Sequence, residues 1–256
     1  MKRTHLVIPD VQAKDGCDYS YLSLIGKFIC DKKPDVIVQI GDFADLPSLS
    51  SYDVGKKSFE GRRYKRDIEV AQLAMQTLCI PIFDMQAKQK VWKEKIYRPE
   101  MYLTPGNHEE RINRVVESDP KLDGTISISD LGYESFGWQV SDFLQPVVVD
   151  SVCYSHYFTT GVLGRPVTSA RQLIQKKHMS CVMGHHQLWD MHRDTRADGS
   201  AIIGLMVGAC YTHNEDYLGP QGNNYSRQIW VLHEVENGDF QPMMVSLDYL
   251  KKRYGQ

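Results

Sequence analysis

The chain has 256 residues, 42% hydrophobic and 24% charged, with a formal net charge of -2. That composition belongs to a globular protein with a sizeable core and excludes collagenous and low-complexity classes. So small a net charge gives no global attraction to nucleic acid or membrane, so a local patch must supply any such binding.

The six cysteines (Cys17, Cys30, Cys79, Cys153, Cys181, Cys210) are far apart, with no C-x-x-C pair. Neither a disulfide framework nor a thiolate zinc site is expected. No segment reads as a signal peptide or a bilayer span, so the expected setting is a reducing cytoplasm.

Leu6-Val7-Ile8, followed by Pro9-Asp10, predicts a buried strand that stops at Asp10. Tyr21, Leu22, Ile25, Phe28 and Ile29 recur at helical spacing, and the helix closes near Lys32-Lys33-Pro34. Val36 to Ile40 is a second strand, stopped by Gly41. Strand, helix and strand in this order make a βαβ unit and a parallel pair. A polar stretch, 43–66, interrupts the pattern. Residues 67–95 suit a helix that Pro81 should kink or break. Met101 to Thr104 is a third strand, and 107–118 can form a helix. Two β runs, Pro146 to Val149 and Val152 to Ser155, flank an Asp150-Ser151 turn. A helix at Thr168 to Lys177 and strands at Met179 to Met183, Ala201 to Val207, Gln228 to Val235 and Met243 to Leu247 complete the reading. With no repeat and no long linker, one domain over 1–256 is expected.

Four apolar strands end directly in metal-ligand residue types: IPDVQ (8–12), IGDF (40–43), TPGNHEE (104–110) and MGHHQ (183–187). A fifth segment, YSHY (154–157), sets one histidine in a β run. Ligands of open α/β sheets bind where the carboxyl ends of strands converge, so these residues imply one shared site. Carboxylate, imidazole and amide oxygen without thiolate suit a borderline-to-hard divalent ion. A carboxylate bridging two ions about 3.5–4 Å apart would clamp both oxygens of a phosphoryl transfer, with a bridging hydroxide as nucleophile.

In order, DVQ, GD, GNHE, His156 and GHHQ resemble the signature blocks of calcineurin-like metallophosphoesterases. The resemblance implies an α/β fold, a four-layer αββα sandwich of two mixed sheets flanked by helices. It also implies two divalent ions, Mn²⁺ first, with Zn²⁺, Fe²⁺, Ni²⁺ or Mg²⁺ as alternatives. Asp10 and Gln12 would hold the first metal, Asp42 would bridge, and Asn107, His156 and His185 would complete the second site. His108 would protonate the leaving group and Glu109 would orient it. Gln12 and Gln187 stand where the family usually has histidines, so the first metal should bind more weakly than the second. Whether Gln187 is a ligand or a bystander stays open; His186 or His213 could substitute. The double substitution, with GKKSFEGRRYKRDIE and NEDYLGPQGNN, resembles phage-encoded members, whose setting would be a host cytoplasm.

Lys56, Lys57, Arg62, Arg63, Lys65 and Arg66, interleaved with Phe59 and Tyr64, suit a phosphate backbone with stacked bases, or form a solvated insertion. Arg62, Arg63, Arg111 and His186 are the candidate substrate contacts. A second basic set around Trp92 reads as an exposed helix face. The expected activity is phosphodiester or nucleic-acid hydrolysis on a nucleotide or single-stranded partner, in a chain that could form a homodimer. A phosphomonoesterase and a metal-binding scaffold without catalysis are the alternatives.

Overall fold

The structure is a computed structural model that describes residues 2–214 and 224–255; most of NEDYLGPQGNN lies outside the described residues. The elements are β1 (Arg3–Ile8), α1 (Ser20–Lys32), β2 (Val36–Gln39), α2 (Tyr64–Val91), β3 (Glu100–Leu103), α3 (Glu110–Ser118) and β4 (Gln139–Val140). Then follow β5 (Val147–Val149), β6 (Val152–Ser155), β7 (Thr159–Thr160), β8 (Arg165–Pro166), α4 (Ala170–Lys177) and β9 (Ser180–Met183). The chain continues through β10 (Trp189–Thr195), β11 (Ala201–Val207), β12 (Gln228–Glu236), β13 (Asp239–Ser246) and α5 (Leu247–Tyr254).

Two mixed sheets form, in strand orders β13-β12-β1-β2-β3-β4 and β10-β11-β9-β6-β5. In the first, β1 to β4 run parallel and β12 pairs antiparallel to β1. In the second, β6, β9 and β11 run parallel between antiparallel edges. Strand alternation sorts the side chains into layers. Val7, Val36, Val38 and Trp230 of one sheet meet Val152, Tyr154, Val182 and Leu205 of the other. Leu6, Ile8 and Ile37 point the opposite way, into a core with Leu22, Ile25, Phe28 and Leu78 of the helices. Cys153, Cys181 and Met206 meet Ala170 and Leu173 of α4 on the far side. The result is the four-layer αββα sandwich.

Three local readings are corrected. Pro81 does not break α2, which runs unbroken through it. A helix-interior proline costs about 3 kcal/mol, offset here by long-range packing. Gly26 of α1 lets the backbone at Leu78 and the Pro81 ring approach closely, and the Pro81 carbonyl accepts from the Cys30 thiol at 3.2 Å. By length and composition α2 could also cross a membrane, contrary to the reading that no segment could. Its Val70, Ala71, Ala74, Met75, Leu78 and Ile82, however, are buried in the core shared with α1. Third, the last β run stops at Ser246, whose side chain accepts from the Tyr249 N–H at 3.1 Å and caps α5 from Leu247.

Candidate metal centre

The carboxyl ends of β1, β2 and β3 from one sheet, and of β6 and β9 from the other, converge on one cluster. One side-chain bond ties the two sheets there, and one backbone bond holds the ends of β6 and β9 together. The His156 ring donates from Nδ1 to the Ile40 carbonyl at 2.9 Å, and the Gly184 N–H donates to the His156 carbonyl at 2.9 Å. Gln12, Asp42 and His185 all adopt left-handed φ, at 47°, 48° and 66°. Such conformations cost a non-glycine residue about 1–2 kcal/mol each and gather at functional sites. Gly106 needs its missing side chain, because a Cβ there would overlap the Asp42 carboxylate. Gly41, at φ 95°, would meet His156 Nδ1 at 2.7 Å.

Asp42, His156 and His185 place ligand atoms within 4.8 Å of one another. His156 Nε2 faces Asp42 Oδ2 at 3.3 Å and Asn107 Oδ1 at 3.1 Å. With Nδ1–H committed to Ile40, the neutral ring turns a lone pair towards two acceptors, an arrangement that suits a cation. Without a metal, the electrostatics put a proton in that place. Burial disfavours a charged His156, yet Asp42 outweighs it and lifts the ring to about 9. Burial and the neighbouring His156 push His185 down to about 4, keeping its imidazole neutral and able to ligate. The residues therefore fit a divalent ion.

Asp10 lies beside the triad, fully buried. Its Oδ1 accepts from the His185 N–H and its Oδ2 from Gln187 Nε2, both at 3.3 Å. Burial pushes its carboxyl up to about 7, the cost of a second buried carboxylate near Asp42. Gln187 Oε1 is buried with no hydrogen-bond partner, so an acceptor is left open beside Asp10. Gln12 is also buried; its backbone N–H donates to the Asp42 carbonyl at 2.8 Å.

His108 sits on the other side of Asp42, with Nε2 at 3.7 Å from Asp42 Oδ2. Its Nδ1 bonds Asp45 Oδ1 at 2.7 Å. Burial would lower its pKa, but Asp42 and Asp45 prevail and raise it. Glu109 does not touch the His108 ring. Its carboxylate accepts from the N–H groups of Asp42 (3.0 Å), Ala44 (2.9 Å) and Gly106 (2.9 Å), and from the Tyr133 hydroxyl at 3.3 Å. It clamps the Asp42 loop to the Gly106 turn, whereas the carboxylate bonded to the His108 ring is that of Asp45.

The family model for calcineurin-like phosphoesterases matches residues 4–225. The chain belongs to the calcineurin-like phosphoesterase family. Among curated proteins none matches it. Similar solved structures include TT1561 of Thermus thermophilus, at 8% identity and TM-score 0.39, covering 95% of this chain and 99% of that one. Another crystal structure matches at 10% identity and TM-score 0.36, covering 96% and 100%.

Within this phosphoesterase, the structure separates the expected substrate contacts. Arg111 is at the site, donating from NH1 to the Asp45 carbonyl at 2.7 Å, with NH2 at 3.4 Å from His108 Nε2. Arg62 is engaged elsewhere, with Asp53 at 2.8 Å and the Pro47 carbonyl at 3.0 Å, over the Phe59 ring. Arg63 donates to the Arg62 carbonyl. Lys56 also pairs with Asp53, and Arg66 with Asp15 outside the insertion, so part of the insertion's positive charge is neutralised. His186 turns to the Val167 carbonyl at 2.8 Å, and His213 stacks on Tyr211 at 4.5 Å. Sequence reasoning missed Asp45, although an aspartate three residues after Asp42 was a usable signal.

Proposed function

We propose that this chain is a metal-dependent phosphodiesterase in which one domain carries two unequal metal positions. The convergence of Asp42, His156, His185 and Asn107 through acceptor atoms alone is the observation behind that reading. Asp42, Asn107, His156 and His185 hold the tighter ion, while Asp10, Gln12 and Gln187 hold the weaker, with Mn²⁺ favoured by the oxygen-rich set. Bound ions supply Lewis-acid charge to the phosphoryl oxygens and lower the pKa of water. His108 delivers the proton to the leaving oxygen. Asp45 holds the Nδ1 side of that ring, leaving Nε2 to face the substrate, and Arg111 fixes Asp45 in turn. A diester is favoured over a monoester because Asp45 engages Arg111, leaving Arg114 as the one arginine of α3 without a carboxylate partner among the described residues, a single charge that suits a monoanion better than a dianion.

Bis(p-nitrophenyl) phosphate and p-nitrophenyl phosphate, assayed side by side with Mn²⁺, test this. Turnover of the diester, abolished by His108→Ala and by EDTA, is the expected result. Exclusive turnover of the monoester overturns the diester assignment. Metal bound without turnover of either ester would favour the scaffold, for which the two glutamines are the motivating feature.

A further inference from the structure

α3 carries two arginines three residues apart, on one helix face towards the site. Arg111 is held by Asp45 and the Leu46 carbonyl. Arg114 is different: it is exposed, has no carboxylate partner among the described residues, and is anchored through NH2 to the backbone carbonyl of Asn107. That single bond ties the guanidinium to one of the proposed ligands while leaving its other N–H groups open. Across the site, Tyr157 directly follows His156. Its half-buried ring lies 4.9 Å from the His185 ring, 5.7 Å from His156, and is braced by the edge of Phe143 at 5.9 Å. The Tyr157 hydroxyl makes no hydrogen bond among the described residues. Arg114, anchored on Asn107, and Tyr157, packed on His156 and His185, therefore border the same cluster, in which Asn107 bonds His156.

We infer that Arg114 and Tyr157 form a clamp for a nucleotidyl group. On this assignment the guanidinium takes a phosphate oxygen and the ring stacks on the base of a nucleotide diester. This deepens the phosphodiesterase reading and rests on it. A guanidinium donates to phosphate oxygens in a planar fork, and an aromatic face accepts any base without reading its sequence. In the basic insertion Arg62 also lies over an aromatic ring, Phe59, but its guanidinium and the Lys56 ammonium are tied to Asp53. The clamp adds no chemical step; it positions the ester that His108 serves.

The test compares thymidine 5′-(p-nitrophenyl phosphate) with methyl p-nitrophenyl phosphate, two monoanionic diesters with one leaving group. The wild type is expected to favour the nucleotidyl ester through KM. Tyr157→Leu should reduce that preference about tenfold, and Tyr157→Phe should keep it. Arg114→Gln should raise KM for both esters. Binding of thymidine 5′-monophosphate and of inorganic phosphate, each with Mn²⁺, gives a readout independent of turnover. Tyr157→Leu should weaken the nucleotide and not the phosphate. Equal KM values for the two esters in the wild type, or a Tyr157→Leu effect confined to kcat, would overturn the clamp. Failure of the wild type to hydrolyse either ester would instead count against the phosphodiesterase reading, and the binding comparison would then decide the clamp alone.

Discussion

Replacing Glu109 by glutamine separates the structural clamp from the expected catalytic role. The buried carboxylate receives three backbone N–H groups and the Tyr133 hydroxyl. A glutamine can keep its oxygen under the N–H groups of Asp42 and Gly106, which share Oε2. Its NH₂ then faces the Ala44 N–H, donor against donor, while the Tyr133 hydroxyl can turn and accept. One buried backbone donor is therefore left without a partner, at a cost of about 1–3 kcal/mol. For a chain of this size that corresponds to a melting temperature lower by roughly 2–10 °C. The assay is thermal denaturation in EDTA, followed by Mn²⁺ titration of the folded variant. Both stability and metal affinity should fall, because the Asp42 loop loosens. A variant as stable as wild type, with normal Mn²⁺ affinity and only a lower kcat, would refute the clamp and restore Glu109 as the residue that orients His108.

Asp45→Asn removes the charged partner of His108 at 2.7 Å. Loss of such a bond, about 1.5–3 kcal/mol, should lower kcat roughly 10- to 150-fold while Mn²⁺ still binds, as steady-state kinetics with a parallel metal titration will show. Arg62→Ala should make the 43–66 insertion more sensitive to limited proteolysis without changing KM for a diester, because that guanidinium holds Asp53 and Pro47. His5 is fully buried, bonded to the Tyr154 hydroxyl at 2.7 Å and Asp150 at 2.8 Å, and burial lowers its pKa. The folded ring is therefore neutral, and below about pH 6.5 the unfolded chain takes up the proton first. Stability contributed by His5 is thus present above that pH and lost as pH falls towards the folded pKa. Urea midpoints between about pH 7.5 and 5.5 should drop less steeply in His5→Gln than in the wild type.

The strand ends were legible because short apolar runs stopped at Asp10, Asp42, Asn107 and His185, and strand-end convergence is a property of the topology itself. β10 was not legible. It is a polar edge strand paired only to β11, so no apolar run marked it. The continuity of α2 through Pro81 depends on Gly26 and Cys30 of another helix, which local propensity does not register. Glu109 adjoins His108 in sequence, but the turn before α3 gives the two side chains different partners, backbone N–H groups for Glu109 and Asp45 for His108. The charge of the 43–66 insertion was visible, whereas its partial neutralisation by Asp53 and Asp15 is a product of folding. The proposed inequality of two metal positions was read from Gln12 and Gln187 as residue types, whereas the structure gathers one triad, Asp42, His156 and His185.

The most direct test of the account is a Mn²⁺ titration of the metal-free protein, read by calorimetry and by turnover of bis(p-nitrophenyl) phosphate in the same samples. Two binding events of unequal affinity are predicted, with activity rising along the weaker one and with His185→Ala removing the tighter. A single tight ion with no diester turnover at saturation, or full activity in EDTA, would contradict it.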